Sequence, residues 1–265
     1  MSNLINTIRR ISEDSRELPF SIYNSVKEQN LLNVPVVKPL LIVVLSGYKE
    51  LEEDKKISCR SGDFIFLSDS PTINMRNIPN KEEYFALLVE FETEDFEGFK
   101  INTTYEKKYC LGKVTFELKS CLKQFIEMSA WADTELLSLR KKEIIKLLCQ
   151  MGHQEIISIA TNHKITHRLH SLFSNKLEEE LTMQSICTQL AMSESTLRRK
   201  LKNEGSTVQE IRDQVKLGLG LHLLQTTLDP IGIISEKCGY LSQSRFSERF
   251  KERFGLTPSA LRKTR

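Results

Sequence analysis

Two stretches near the end of the chain are rich in side chains that hydrogen-bond to nucleic-acid groups. Arginine can bind guanine O6 and N7 through two hydrogen bonds, glutamine can pair with adenine, and lysine suits phosphate oxygens. In Ser193–Glu204, the side chains with this chemistry are Ser195, Thr196, Arg198, Arg199, Lys200 and Lys202. In Ser242–Phe254, the corresponding side chains are Gln243, Ser244, Arg245, Glu248, Arg249 and Lys251. We expect both sets to contact duplex DNA.

The two stretches are predicted to contribute differently to binding. Arg198 and Arg199 are the expected base readers, whereas Lys200 and Lys202 are expected to contact phosphates. Glu248 stands where a basic residue would suit DNA better. It either accepts a hydrogen bond from cytosine N4 or forms a salt bridge with a neighbouring arginine. We therefore expect the first stretch to dominate specificity and the second to add mainly affinity; the alternative for the first is an ordinary solvated helix face.

The spacing of apolar residues predicts that both stretches are helices. In the second stretch, Phe246, Phe250 and Phe254 recur every four residues and form one apolar stripe. Gly255 is a typical residue to end this helix. A shorter helix is predicted over residues 229–239, so the pattern is helix, tight turn and basic helix. This order predicts a helix-turn-helix whose second helix enters a DNA groove.

The same pattern occurs 49 residues earlier in the chain. Ser193 and Leu197 stand in register with Ser242 and Phe246. Between the two motifs, residues 207–225 are predicted to form one helix of about 19 residues, which is roughly 28 Å long. Because successive major grooves on one face of a duplex are about 34 Å apart, such a helix suits two recognition helices in neighbouring grooves.

These motifs resemble the DNA-binding domain of the AraC/XylS family of bacterial transcription regulators. The resemblance rests on Met192–Gly205 (MSESTLRRKLKNEG) and Asp229–Pro258 (DPIGIISEKCGYLSQSRFSERFKERFGLTP). In the linker helix, Lys216 replaces the family's usual arginine, Gly220 replaces its usual alanine, and Gly218 lies between them. Glycine inside a helix costs about 1 kcal/mol relative to alanine, so we expect a less rigid linker helix than usual.

Charge is distributed unevenly along the 265 residues, whose net charge is +3. Residues 166–265 contain 16 Lys and Arg against 11 Asp and Glu, a net charge of +5, whereas residues 1–165 contain 22 against 24, a net charge of −2. The length allows two domains. We predict an N-terminal regulatory or dimerisation domain over 1–163, with a helical segment at 114–163, and a DNA-binding domain over 164–265.

The first half of the chain shows the periodicity of short strands with Gly, Pro and Asp turns between them. The predicted strands lie near residues 20–26, 39–45, 57–59, 64–67, 73–75 and 84–91. This spacing predicts a small antiparallel β-barrel or jelly roll. The fold class is therefore α+β, with a cupin-like barrel and helices followed by an all-α domain of two helix-turn-helix motifs joined by a long helix.

The barrel segment also resembles a family pattern, that of the N-terminal domain of one AraC-type subgroup, over about residues 37–155. The matching residues are Pro39, Gly47-Tyr48-Lys49, Gly62-Asp63, Ser70-Pro71 and Glu83–Leu87. The resemblance implies a cupin-like domain for effector sensing or dimerisation, without indicating a ligand. The apolar residues that either line a ligand cavity or fill the barrel are predicted to include Leu41, Val43, Phe64, Phe66 and Phe85.

Residues 116–128 and 135–150 return to helical spacing and are each amphipathic. These two helices either pack on the barrel or pair with the same helices of a second chain. In the family that the chain resembles, helices at this place commonly form the dimer contact. We therefore predict a homodimer through them.

Several classes of site and location are not expected. No histidine precedes His153, and the six cysteines show no zinc-type spacing with histidine, so we expect no metal site. We expect no cofactor and no catalytic residues, because no glycine-rich phosphate loop and no nucleophile motif is visible. No basic-plus-apolar signal-peptide pattern and no apolar run of 18 residues is visible, so we expect no membrane association and a cytoplasmic protein that joins the nucleoid when bound to DNA.

The sequence as a whole predicts a sequence-specific DNA-binding transcriptional regulator rather than an enzyme. Activation is the commoner mode in the family, and it would require a contact with RNA polymerase that the sequence does not mark. The alternative is an architectural or antagonist DNA-binding dimer with no small-molecule effector. Whether an effector exists is left open at this point.

Overall fold

The structure is a computed structural model of the chain. It describes residues 1–12, 18–36, 38–52, 56–68, 70–99, 108–161, 164–174, 176 and 181–265. Strands dominate the first half and helices the second, which confirms the predicted α+β class. The predicted domain boundary after residue 163 falls at residues 162–163, which lie outside the described residues, so the boundary stays a prediction.

Nine strands in the described part of the chain form two antiparallel sheets. Their bounds are β1 Ser21–Ser25, β2 Gln29–Val36, β3 Leu40–Ser46, β4 Tyr48–Glu52, β5 Lys56–Arg60, β6 Asp63–Leu67, β7 Ser70–Ile78, β8 Tyr84–Glu90 and β9 Tyr109–Lys113. One sheet has the order β1-β8-β3-β6-β9, and the other has the order β2-β7-β4-β5.

Eleven α-helices and a short 3-10 helix, Thr93–Phe96, are present in the described residues. The α-helices are α1 Ser2–Ser12, α2 Phe116–Met128, α3 Thr134–Gln150, α4 Glu155–Thr161, α5 Ile165–Ser174, α6 Met183–Leu190, α7 Glu194–Asn203, α8 Val208–Thr226, α9 Ile231–Lys237, α10 Gln243–Phe254 and α11 Pro258–Arg262. The helices predicted at 116–128, 135–150, 193–204, 207–225 and 242–254 are present within one residue of the predicted ends. None of the helices described is both long and apolar enough to span a bilayer.

The prediction that the strands close into a barrel is wrong. In the described residues, no hydrogen-bonded pair of strands joins the five-stranded sheet to the four-stranded one. Helix α8 packs against both β1 and β2, which are edge strands of the two sheets. The backbone N–H groups of Val26 and Lys27, between these strands, donate to the carbonyl oxygen of Thr264. The C-terminal helices therefore occupy the space in which β1 and β2 would have to pair to close a barrel.

The two faces of the five-stranded sheet belong to different cores. One face packs against α1–α4, and the other faces the four-stranded sheet. Helix α1 packs on the first core because Leu4 and Ile8 are fully buried there.

The C-terminal helices divide into two helix-turn-helix units that share α8. The first unit has its own core, to which the start of α8 contributes Ile211 and Val215. The second half of α8 contributes Leu217, Leu221 and Leu224 to the core of the second unit, which is continuous with the core between the sheets. One helix therefore connects both units, and the second unit is anchored on the sheets.

Candidate nucleic-acid interface

Helix α7 carries the first predicted contact surface. The Oγ of Ser193 accepts a hydrogen bond from the backbone N–H of Thr196 at 3.3 Å, which satisfies a donor at the helix start. Leu197 and Leu201, four residues apart on one face of the helix, are buried in the core of the first unit. The predicted contacts that are exposed are Ser195, Arg198, Arg199, Lys200 and Lys202; Thr196 is half-buried.

The cations of α7 differ in their existing partners. Arg198 Nη2 lies 2.7 Å from Glu194 Oε1, one helical turn earlier. Because both side chains are exposed, this pair is weak and can be exchanged for a contact with DNA. Arg199, Lys200 and Lys202 form no ion pair within the described residues. Three of the four cations of α7 are thus available without breaking an internal contact.

Helix α10 carries the second predicted contact surface. Ser242 Oγ accepts a hydrogen bond from the backbone N–H of Arg245 at 3.2 Å. The rings of Phe246, Phe250 and Phe254 are fully buried, with successive centroids 5.6 and 4.6 Å apart. This stripe fixes which face of α10 points outward. The predicted contacts on that face are all exposed: Gln243, Ser244, Arg245, Glu248, Arg249 and Lys251.

The salt bridge considered for Glu248 is not formed. Arg249 instead pairs with Asp213 on α8 and with Glu252, each at 2.9 Å. Hydrogen bonding to Asp213 raises the pKa of Arg249. Glu248 has no ion pair in the part of the chain that the structure describes. Arg249 therefore ties α10 to the linker helix, and the carboxylate of Glu248 is presented to solvent.

The glycines of α8 are places of close packing. A Cβ on Gly220 would lie 2.7 Å from Cε2 of Phe246, and one on Gly218 would lie 3.2 Å from Cγ of Pro35. The missing side chains let α8 approach α10 on one side and β2 on another. Low helix propensity at the two glycines would by itself make α8 less rigid. The close packing of α8 on α10 and β2 opposes this loss of rigidity.

The turn of the second unit is fastened to the linker helix. Lys216 Nζ donates to the carbonyl oxygen of Gly239 at 3.2 Å and lies 5.8 Å from the ring centre of Tyr240. In the first unit, the turn begins at Ala191, which takes a left-handed conformation with φ of 53°. Lys216 thus helps to hold α9 and α10 against α8.

A chain of buried amides links the sheets to α8. Lys49 Nζ donates to Asn77 Oδ1 at 2.6 Å, and Asn77 Nδ2 donates to Gln29 Oε1 at 2.8 Å. The same Gln29 oxygen accepts from Gln225 Nε2 on α8 at 3.0 Å, while Gln29 Nε2 donates to Thr264 Oγ1 at 2.8 Å. Burial lowers the pKa of Lys49 to about 8. A polar path therefore runs from the core between the sheets to the linker helix.

The residues predicted to bind a ligand face the helical layer. Leu41, Val43, Phe64, Phe66 and Phe85 are all buried in the core that includes residues of α1–α4. The space between the sheets is lined by the alternate residues of the same strands, such as Ile42 and Ile65. These predicted residues thus lie on the opposite face from the interior of the expected barrel, and their role in binding stays a prediction.

The helices predicted to form a dimer contact expose large apolar side chains. Phe116 at the start of α2 is 80% exposed, Trp131 between the helices is 69% exposed, and Leu139 on α3 is 58% exposed. Leu118, Leu122, Phe125 and Ile126 of α2 pack inward on the sheet. One side of this helical layer is therefore core and another presents apolar groups to solvent.

Sequence reasoning missed one cluster of potential metal ligands. Cys110 on β9, His153 before α4 and Glu155 in the first turn of α4 each offer a ligand atom, and these atoms lie within 4.8 Å of one another. All six cysteines are thiols that form no disulfide. Because Cys110 and His153 are 43 residues apart, no local spacing signal marks the cluster. It is brought together by the pairing of β9 with β6 and by the packing of His153 on Phe64 of β6.

Comparison with known proteins gives similarities in both sequence and fold. A family model described as a helix-turn-helix domain matches residues 186–264. The transcriptional activator RhaS of Klebsiella pneumoniae is 24% identical over 151 residues, which are 56% of this chain and 54% of that protein. RhaS of Escherichia fergusonii is 22% identical over 214 residues, 78% of this chain and 75% of that protein. The chain thus spans about half the length of the first of these relatives.

Among solved structures, an apo form of ToxT from Vibrio cholerae has a similar fold. It superimposes with a TM-score of 0.70 at 14% sequence identity, and the alignment covers 94% of this chain and 98% of that one. The arrangement of two sheets followed by paired helix-turn-helix units is therefore shared along nearly the whole chain.

Proposed function

We propose that this chain, whose C-terminal region is an AraC-family helix-turn-helix domain, is a sequence-specific transcriptional activator that reads two successive major grooves of DNA. One observation carries the proposal. Helices α7 and α10 each have a serine N-cap, a buried apolar stripe and an exposed face that presents the predicted base and phosphate contacts. In a helix-turn-helix, the start of the second helix meets base edges and its flanks meet phosphates.

The connection between the two helices supports reading of neighbouring grooves. Helix α8 has 19 residues and is therefore about 28 Å long. Its first half packs in the first unit and its second half in the second unit, so both recognition helices are held relative to one rod. The Asp213–Arg249 pair adds a contact between this rod and α10. This arrangement supports the proposed separation of roughly one duplex turn between α7 and α10.

The two contact surfaces are proposed to differ in strength. Arg199, Lys200 and Lys202 on α7 have no internal ion pair within the described residues. On α10, Arg249 is engaged with Asp213 and Glu252, and the carboxylate of Glu248 faces solvent. Helix α7 therefore contributes most of the specificity, and α10 adds affinity mainly through Arg245 and Lys251. Glu248 is proposed to favour cytosine.

Activation and dimerisation complete the proposal. The relatives named above are transcriptional activators, which favours activation over repression for this chain. Activation would require a contact with RNA polymerase. The exposed apolar groups on α2 and α3 are proposed to pair with a second copy of the chain. The strand-rich part is proposed to sense an effector through the amide path that ends at Gln225 on α8. No catalytic role is proposed, and the site of action is the nucleoid in the cytoplasm.

Enrichment from a random duplex library tests the proposal. The full chain should enrich a bipartite sequence, each part the width of one major-groove contact. A matched double variant, Arg199→Ala with Arg245→Ala, leaves both buried stripes intact and should enrich no sequence from the same library. If the unaltered chain enriches none at moderate salt, it is not a sequence-specific regulator.

A further inference from the structure

Three different ligand types converge where the last strand of the five-stranded sheet meets the turn between α3 and α4. Cys110 Sγ lies 3.3 Å from His153 Nδ1. A carboxylate oxygen of Glu155 completes a set whose atoms are all within 4.8 Å of one another. Cys110 is buried, whereas His153 and Glu155 are half-buried. The cluster therefore has one side in the core and another side that an ion from solvent can reach.

The spacing fits the ligand shell of a small tetrahedral ion. Zinc binds thiolate sulfur at about 2.3 Å and imidazole nitrogen at about 2.0–2.1 Å. Two such ligands at the tetrahedral angle are about 3.6 Å apart, by the same bond lengths. The separation of 3.3 Å between Cys110 and His153 is close to this value, so small side-chain movements suffice to accommodate an ion.

Two neighbours hold the histidine ring in place over the strand. The imidazole of His153 packs edge-on against Phe64, with ring centroids 5.1 Å apart. Gly112 lies two residues after Cys110 on β9, and a Cβ at this position would clash with the ring of Phe64 and come 2.8 Å from Cε1 of His153. A side chain here would displace the ring from Cys110. The absence of one is what allows the imidazole and the thiol to approach each other.

We propose that Cys110, His153 and Glu155 bind one divalent transition-metal ion of the zinc type, with one coordination position left for water or another ligand. A mixed set of sulfur, nitrogen and oxygen ligands suits zinc and excludes magnesium and calcium, which take oxygen ligands. Three protein ligands with one open position are typical of sites that exchange a ligand rather than purely structural sites.

The ion would join two parts of the N-terminal half. It would tie β9, an edge strand of the five-stranded sheet, to the turn at which α3 ends and α4 begins. Occupancy would therefore stabilise the attachment of the helical layer to the sheet by mass action. The proposal is independent of DNA binding, because none of the three residues lies in the helix-turn-helix units.

Metal titration of the full chain tests the site. Reduced, chelator-treated protein should take up one zinc ion per chain, and cobalt(II) alone should produce a sulfur-to-metal charge-transfer band. Cys110→Ser should abolish that band and weaken zinc binding by roughly 100-fold or more, and Glu155→Gln should weaken zinc binding without removing the band. Cys187→Ser, which removes a half-buried thiol on α6, is the matched control and should change neither result.

Thermal unfolding of every variant in chelator separates loss of the site from loss of the fold. Glu155→Gln keeps the size of a half-buried side chain and serves as the variant that remains folded if Cys110→Ser does not. Gly112→Ala should also weaken zinc binding, because its Cβ displaces the ring of Phe64 and the His153 ring that packs against it. The proposal is overturned if no stoichiometric uptake occurs, or if the cobalt band survives Cys110→Ser. It is equally overturned if Glu155→Gln binds zinc as tightly as the unaltered chain.

Discussion

Arg199 and Lys200 are adjacent residues on α7 that distinguish base reading from phosphate contact. Both are exposed and neither is in an ion pair within the described residues. Arg199→Ala should cost about 1–3 kcal/mol on the preferred duplex and relax the preference at one base pair. Lys200→Ala should weaken binding to all duplexes alike and lower the salt slope by about one. Fluorescence anisotropy over a panel of single-base changes at several salt concentrations measures both effects. Uniform weakening by Arg199→Ala would show that it contacts phosphate.

Lys49 gives a pH dependence whose sign is fixed by its burial. Its pKa is lowered from 10.5 to about 8 in the folded chain, so the unfolded chain binds more protons between these values. The contribution of Lys49 to the free energy of unfolding therefore becomes more favourable as the pH rises above about 8. Below about pH 8, the full cost of burying the charged ammonium group is present. Relative to Lys49→Met, the unaltered chain should gain about 2 kcal/mol between pH 7 and pH 9.5.

Urea unfolding of both proteins at the two pH values measures this difference. Groups other than Lys49 titrate in both proteins, so their contributions cancel in the comparison. A difference in unfolding free energy that does not change with pH would mean that Lys49 keeps its ordinary pKa and is hydrated.

Single-residue features could be predicted from the sequence only where they are local. The burial of Leu197 and Leu201 follows from helical spacing, and the caps formed by Ser193 and Ser242 follow from their residue type. The pairing of Arg249 with Asp213 and the burial of Lys49 against Asn77 depend on residues tens of positions away. No periodicity encodes such contacts, so they were not predicted.

Helix α8 allows a matched pair of glycine substitutions. Gly→Ala inside a helix normally stabilises by about 0.5–1 kcal/mol. At Gly220, the added Cβ would lie 2.7 Å from a buried Phe246 ring, so Gly220→Ala should destabilise the fold by about 1–3 kcal/mol. At Gly218, the nearest atom is Pro35 Cγ at 3.2 Å, so the change should be close to neutral. Chemical denaturation measures both; equal stabilisation by the two changes would show that α8 is not packed closely on α10.

Elements were predictable in proportion to the regularity of their apolar pattern. The helices α2, α3, α7, α8 and α10 were predicted within one residue of their ends, and the apolar stripe is clearest in α7 and α10. Three strands were not predicted. β2 contains Asn33 at φ of 49° and Pro35, while β4 (YKELE) and β9 (YCLGK) are short and polar. Their pairing with neighbouring strands overrides weak local preference, and a single sequence does not show which strands will pair.

At the scale of the whole molecule, the proposed dimer contact is the surface of α2 and α3 that exposes apolar side chains. If it is a dimer contact, Leu139→Glu should raise the dimer dissociation constant roughly tenfold or more. Leu228→Glu is the matched control, because this leucine is 81% exposed beside the end of α8, away from that surface. Sedimentation velocity over a range of concentrations measures the dissociation constant. Equal dissociation constants for both variants and the unaltered chain would exclude this contact.

The whole-molecule arrangement was only partly predictable. A strand-rich half followed by paired helix-turn-helix units follows from composition and the internal repeat. The separation of the strands into two open sheets does not follow from the sequence. It depends on the packing of α8 and Thr264 beside β1 and β2, which joins residues some 200 positions apart. The docking also makes the second unit continuous with the core between the sheets, whereas the first unit keeps a core of its own.

Hydroxyl-radical footprinting on a duplex enriched by the full chain tests the central claim most directly, which is that α7 and α10 occupy successive major grooves. Two protected patches should appear on one face of the duplex, with centres roughly 10–10.5 base pairs apart. Arg199→Ala should weaken protection of one patch and Arg245→Ala protection of the other. A single patch, or two patches on opposite faces of the duplex, would contradict the arrangement of both helices on one rigid linker.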